Sequence, residues 1–214
     1  MSFGDYLSRN VENLFELTLE HAQLVVISML LAIAISIPAG VIAYRSTNLR
    51  PVIVSSASVM LTIPSLALFG LFVPIFGLGQ PPAIAALTLY ALLPIISNTI
   101  AGLASVDPAI TKSAQGMGVG QWRRLLTVEL PLAWPVILTG VRVSTQVVVG
   151  IAAIAAIVGG PGLGTEIFRG LRSLGSPGAA NLVYGGTIAV IVLALVFDAF
   201  FILVRRLTTS RGIR

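Results

Sequence analysis

Residues 112–131 read KSAQGMGVGQWRRLLTVELP, the one long polar interruption in a chain that is otherwise built of apolar runs. Asp107 and Pro108, just ahead of it, open a helix: Asp suits the N-cap, and Pro suits the first helical position, where its missing N–H costs nothing. Ile110, Ala114 and Met117 then recur on one helical face. Gly116, Gly118 and Gly120 end that helix within a turn, with Gly118 supplying the left-handed backbone of a glycine cap. A second short helix is expected over residues 121–129, with Trp122, Leu125 and Leu126 on one side and Pro131 as its stop. Two short amphipathic helices around a glycine elbow, held between apolar spans, make a docking surface for a soluble partner.

Working outward, the composition is that of a membrane protein. The 214 residues are 56% hydrophobic and only 10% charged, with a mean hydropathy of +0.98, whereas soluble domains carry about 25% charged residues. One integral membrane domain, residues 1–214, is the natural count. Five spans near the ~20 residues that cross a bilayer are expected at 24–44, 52–76, 83–103, 134–158 and 182–204. Residues 1–20 carry Asp5, Glu12, Glu16 and Glu20 against Arg9, the wrong charge for a signal peptide. Leu7, Val11, Leu14 and Thr18 line one side of a helix there. It lies either on the membrane surface as an amphipathic segment or packed against the bundle.

The net charge of +5 does not indicate a nucleic-acid partner, because the basic residues sit at the ends of apolar runs and not on one solvated face. Arg45, Arg50, Lys112, Arg123, Arg124, Arg205, Arg206, Arg211 and Arg214 fall on one side of the five spans, against Arg9, Arg169 and Arg172 on the other. Basic loops stay inside. The expected arrangement is therefore a multi-pass protein of the cell membrane, in contact with lipid, with the N-terminus outside, the C-terminus in the cytoplasm and residues 107–131 as a cytoplasmic loop.

Several absences bear on chemistry. Lys112 is the only lysine and belongs to no phosphate-binding Gly-x4-Gly-Lys-Ser/Thr motif, so an ATP-driven process needs its ATPase in another chain. No cysteine is present, and His21, the only histidine, reads as an interfacial side chain at a membrane edge. No metal cluster or nucleophile–base pair is visible, so no catalytic residue and no metal site are assigned. Inside the spans, Arg142 and Asp198 are the two ionisable residues. Intramembrane charges are costly and mark functional sites. Counted at the helical rise, Arg142 lies about 12 Å past Trp134 and Asp198 about 10 Å before Arg205, similar depths that allow an ion pair. Thr62, Ser65, Ser97, Asn98 and Gln146 either line a path or hold helices together, as Ser144 and Thr145 also do. Pro64 and Pro94 mark either simple kinks or bends used in gating. Gly185, Gly186 and Ala189 offer a small-residue packing face. Residues 159–164, with Gly160 and Gly162, read as a flexible turn at the external mouth.

The loop also carries a resemblance. Permease subunits of binding-protein-dependent ABC importers have a cytoplasmic loop of the form E-A-A-x3-G-x9-I-x-L-P. Lys112, Ser113, Ala114, Gly118, Val128, Leu130 and Pro131 fall on that spacing. Ala114, Gly118 and the Leu-Pro match, Val128 is conservative, and Lys112 and Ser113 depart. The wording GMG…W…L…VELPLA is most similar to the glycine betaine, choline and osmoprotectant branch. Residues 159–164, followed by Ile167, Phe168, Arg169 and Gly170, resemble that branch's late external loop.

The resemblance implies an all-α permease with a coupling-helix loop, in which Ile110, Lys112, Ala114, Met117, Gly118, Trp122, Leu125, Leu126, Leu130 and Pro131 meet a cytoplasmic ATPase dimer. It further implies a second permease subunit, an external substrate-binding protein, and a quaternary amine as solute. The chain itself would hold no cofactor, ATP and Mg being bound by the partner ATPase, and would not be an enzyme. A channel or secondary carrier working without ATP is the alternative, for which Asp198 alone is the support.

Overall fold

A computed structural model describes residues 2–208, and no β-strand occurs among them. Nine α-helices follow in order: α1 (Phe3–Arg45), α2 (Leu49–Thr62), α3 (Ser65–Phe76), α4 (Gln80–Ala104), α5 (Pro108–Gly116), α6 (Gln121–Arg124), α7 (Leu130–Ala152), α8 (Gly164–Arg172) and α9 (Ala179–Thr208). Four continuous helical stretches among the described residues are long and apolar enough to cross a membrane, or five spans if the bent α2–α3 pair counts as one. The basic residues Arg211 and Arg214 lie outside the described residues.

The two ends of the bundle are defined by contacts. At one end Arg45 reaches Glu129, and the Trp134 indole N–H donates to Thr208 at 2.9 Å. At the other, Gly79 N–H donates to the Val158 carbonyl at 2.8 Å and the Tyr6 hydroxyl to Glu166 at 2.8 Å. The α2–α3 pair carries the chain between those ends, so α1, α2–α3, α4, α7 and α9 all cross.

Helix α4 is the hub. Lipid is as apolar as leucine, so helices in a membrane associate through close packing and hydrogen bonds. Both are present. A Cβ at Gly140 of α7 would sit 2.6 Å from Asn98 Cβ of α4, and one at Gly40 of α1 the same distance from Thr99 Cβ. Ser144 Oγ donates to the Ala91 carbonyl at 2.9 Å, and Thr88 Oγ1 to the Ser28 carbonyl at 3.3 Å. Around these contacts Leu24, Val25, Phe69, Leu87, Ile95 and Val148 are fully enclosed.

Three elements differ from the sequence expectation, and at residues 1–20 the structure takes the second of the two expected readings, a helix packed against the bundle. The expected span 52–76 is broken, with α2 and α3 meeting at 100° across Ile63 and Pro64. Pro64 cannot donate to the carbonyl four residues back, and it pushes Ile63 into extended backbone. The Tyr90 hydroxyl of α4 caps the freed Ile63 carbonyl. Pro38, Pro74 and Pro94, by contrast, lie inside continuous helices.

Residues 1–20 are not a separate surface segment. They form the first half of a 43-residue helix, about 64 Å long against a hydrocarbon core of about 30 Å. Its buried side is Tyr6 and Leu14, packed on Leu163 and Leu193, while Leu7 and Val11 face outward. Gly185 and Gly186 of α9 admit this packing: a Cβ at Gly185 would meet the Tyr6 ring at 2.5 Å, and one at Gly186 would meet Ile167 of α8.

Pro131 stops nothing. Residues 121–158 run on as one helical stretch, because a π-helical turn at Leu125–Glu129 precedes the proline. There Leu130 N–H bonds the Leu125 carbonyl, five residues back, and the wider turn moves the carbonyls away from the proline ring.

Finally, residues 159–164 are not a flexible turn. A Cβ at Gly162 would lie 2.8 Å from His21 Cα, and one at Gly164 would collide with the Ala153 carbonyl. His21 is itself fully buried, its Nε2 3.0 Å from the Val149 carbonyl, and so is not interfacial.

Candidate functional site

The loop between α4 and α7 is built from local signals. Asp107 Oδ1 accepts from Ala109 N–H at 2.7 Å and starts α5, with Pro108 at its first position. At the other end Val119 N–H bonds the Ala114 carbonyl at 3.1 Å and Gly118 N–H the Gln115 carbonyl at 2.9 Å, across Gly118 at φ +79°. A side chain there is strained by conformation alone, since a Cβ would meet nothing within 4 Å. Ala114 is buried, but Ile110, Met117, Trp122 and Leu126 are 44%, 76%, 73% and 63% exposed. Lys112 is exposed among them, and so is Pro131. Leu125 turns the other way, into a cluster with Val41, Leu103, Ala133 and Ile137, and Leu130 packs against it. Trp122 and Leu126 therefore do not share Leu125's side. The outward side of the loop thus carries four large uncovered apolar side chains beside the exposed Lys112 and Arg123.

Beneath that face lies a charge cluster that the sequence reading missed. Glu129, in the π-helical turn, is buried. Arg124 Nε reaches its Oε1 at 2.8 Å and Arg45 Nη2, at the end of α1, its Oε2 at 3.1 Å. Arg124 also extends to Gln115 Oε1 at 3.4 Å. The carboxylate thus ties α6 to α1, and Arg124 extends the link to α5. The available signal was an acid inside the otherwise apolar run LLTVELPLA, beside the membrane and with arginines at neighbouring span ends.

Within the membrane, Arg142 of α7 grips Asp198 of α9 with two bonds, Nε to Oδ1 at 2.6 Å and Nη2 to Oδ2 at 2.7 Å. Gln146, one turn on, donates from Nε2 to Asp198 Oδ1 at 2.6 Å. The other polar candidates do not join them. Thr62 bonds its own helix at the Val59 carbonyl, and with Pro64 and Ser65 it marks the α2–α3 bend. Ser97 lines a shallow cavity of about 290 Å³ with Arg50, Pro51, Val54 and Ile100. Asn98 bonds the Pro94 carbonyl and packs on Gly140. Gly160 and Gly162 are buried at the opposite end of the bundle. There a second missed cluster joins α1 to α8: Glu166 is fully buried between Tyr6 and Arg169, the latter 3.0 Å away. Among the described residues no group of three acids or histidines could hold a metal ion.

Residues 25–209 match the family described as binding-protein-dependent transport system inner membrane component. The chain is 37% identical to the osmoprotectant import permease protein OsmW of Salmonella typhimurium, over 98% of each chain. It is 35% identical to the glycine betaine/carnitine/choline transport system permease protein OpuCB of Bacillus subtilis, over 98% of this chain and 94% of that one. It is also 36% identical to the choline transport system permease protein OpuBB of the same organism, with the same coverage. Among solved structures, the fold matches a chain of the MetNI methionine ABC transporter in an inward-facing form. The TM-score is 0.81 at 19% identity, over 92% of this chain and 96% of that one.

Proposed function

The chain belongs to the family of inner membrane components of binding-protein-dependent transport systems, as the permease subunit of an ABC importer, and on that premise we propose that it carries a quaternary amine osmoprotectant into the cell. The solutes in the relatives' names, glycine betaine, carnitine and choline, share a quaternary ammonium centre. Two permease subunits, identical or a related pair, enclose the path. A cytoplasmic ATPase dimer, holding ATP and Mg, docks on the face of Ile110, Lys112, Met117, Gly118, Trp122 and Leu126, while Ala114, Leu125, Leu130 and Pro131 hold that face in shape. An external binding protein delivers the solute. The N-terminus is outside and the C-terminus cytoplasmic, in keeping with the basic residues Arg45, Arg50, Lys112, Arg123 and Arg124 around one end of the bundle.

The observation that carries this reading is the loop itself: four large apolar side chains exposed at the end of the bundle where Arg45 and Arg124 gather, on a helix–glycine–helix unit clamped from below by Glu129. ATP closure at such a surface biases the two openings of the path differently, which is what coupling requires. The test is reconstitution of the permease with its ATPase and binding protein in proteoliposomes. Glycine betaine accumulation that needs ATP inside and binding protein outside is the expected result. Uptake that proceeds at full rate without ATP would overturn it in favour of a carrier.

A further inference from the structure

Helix α7 has one open face. Its buried side, centred on Val141 and Val148, packs with Leu24, Val25 and Met29 of α1. Gly140 sets α4 on one flank, and Arg142 sets α9 on the other. Thr139, Val143, Gln146, Val147 and Gly150 are exposed. At about 100° per residue they lie roughly 140–240° around the helix from Val141, on the side facing away from α1. Asp198 continues this open side onto α9, with Ile202 and Arg205 one and two turns further along the same stripe. Val192, Val196 and Phe200, also exposed on α9, lie on a different stripe that carries no charge.

The side chains of Arg142 and Asp198 are 35% and 22% exposed, and Gln146 is exposed beside them. Charged groups at the middle of a span do not face lipid, because their desolvation there is unsupported. The face that carries them must meet water or protein. The apolar stripe of α9 and the outer face of α1, with Val26, Leu30 and Leu31 exposed, meet lipid without cost.

From this we infer that the open face of α7 and α9 lines the solute path, and that Arg142, Asp198 and Gln146 form a passing site for a zwitterion carrying both a quaternary ammonium and a carboxylate. The inference deepens the permease reading and rests on it. The trio has no net charge, so it adds no electrostatic barrier for a solute that is itself neutral overall. As such a solute passes, its ammonium faces Asp198 and its carboxylate faces Arg142, so neither protein charge is left unpaired when the bidentate contact opens. A bare cation satisfies only Asp198 and leaves the guanidinium without a partner.

The chain has no cysteine, so single introduced thiols report cleanly. In the proteoliposomes described above, Val143→Cys and Val147→Cys are treated with a membrane-impermeant methanethiosulfonate bearing a trimethylammonium group. Leu30→Cys and Val192→Cys are the lipid-facing controls. The first two are expected to react, more slowly with glycine betaine present, and the controls to stay silent. Glycine betaine and choline uptake are then compared in Arg142→Gln. Their uptake ratio should shift toward choline on the order of fivefold, the effect of one unpaired charge about 4 Å away in a wet path. If import proceeds normally but Val143→Cys and Val147→Cys are as silent as the controls, the path lies elsewhere and the inference fails while the permease reading stands. An unchanged uptake ratio with reactive thiols also overturns the passing site. Loss of ATP dependence in the unmodified protein removes the permease reading instead.

Discussion

Glu129 and Asp198 are both carboxylates gripped by arginine, one beside the loop between α4 and α7 and one within a membrane-spanning helix. Their surroundings differ. Glu129 has 8% of its side chain exposed and two arginines from two elements, Arg45 from α1 and Arg124 from the loop. Asp198 is 22% exposed, has a single arginine and a glutamine, and sits on an open face. The first is a clamp: its charge is spent on holding three elements in one body. The second retains access to whatever occupies the open face. The same pair chemistry yields a joint where it is roofed and a site where it is not.

The sharpest way to break the comparison is at the clamp. Glu129→Leu leaves two arginines without their shared partner, and removing one member of a buried ionic group typically costs ~3–5 kcal/mol. A large loss of monodisperse protein after mild heating in detergent is expected. Glu129→Gln, which keeps one acceptor oxygen for one arginine and turns an NH2 donor toward the other, should fold better than Glu129→Leu yet hydrolyse more ATP per solute imported, because α1 no longer moves with the loop. Tight coupling in a well-folded Glu129→Gln protein would show that the cluster only stabilises.

A smaller effect is expected at Asp198, whose exposure lets water share the charge. Arg142→Leu and Asp198→Leu should each lower the folded yield, by less than Glu129→Leu does, and the double variant should recover part of the loss. A double variant as poor as the sum of the two singles would mean that the residues act independently. If instead both singles lose more yield than Glu129→Leu, Asp198 is the deeper joint and the contrast is reversed.

Smallest in stability is Gly118→Val, which touches neither carboxylate. A β-branched residue at φ +79° costs about 1–2 kcal/mol, with no clash to add to it. Membrane insertion should be spared while the outward face of Ile110, Met117 and Trp122 is reset. Solute-stimulated ATPase activity is therefore expected to fall more than protein level. Wild-type import with wild-type ATPase stimulation would show that the loop tolerates a different elbow.

Much of this molecule was legible in short windows of sequence. Asp107 with Pro108 announces a helix start, Gly118 a left-handed cap, and runs of about 20 apolar residues the crossings, because each signal depends on groups a few residues apart. The depth match of Arg142 and Asp198 was also legible, since helical rise converts residue count into distance. The contacts between helices distant in sequence, those of α4 with α1 and α7 above all, were not. Pro64 and Pro131 present the same local chemistry, a missing N–H and a bulky ring. Yet one breaks its helix through 100° and the other passes through a π-helical turn. Tyr90 of α4 caps the carbonyl beside Pro64, and the Arg45–Glu129–Arg124 cluster stands at the turn before Pro131.

The same holds for His21, the acidic first half of α1 and the glycines at 159–164. By composition they looked interfacial, surface-lying or flexible, yet His21 is buried with its Nε2 at the Val149 carbonyl, Tyr6 and Leu14 pack on Leu163 and Leu193, and Gly162 abuts His21. Sequence alone determined the helix start at Asp107, the glycine cap at Gly118 and the apolar runs that cross. Which charge is roofed by protein and which lies on an open face was decided only by the packing of helices, and the cost of a charge depends on whether its surroundings are protein, water or lipid.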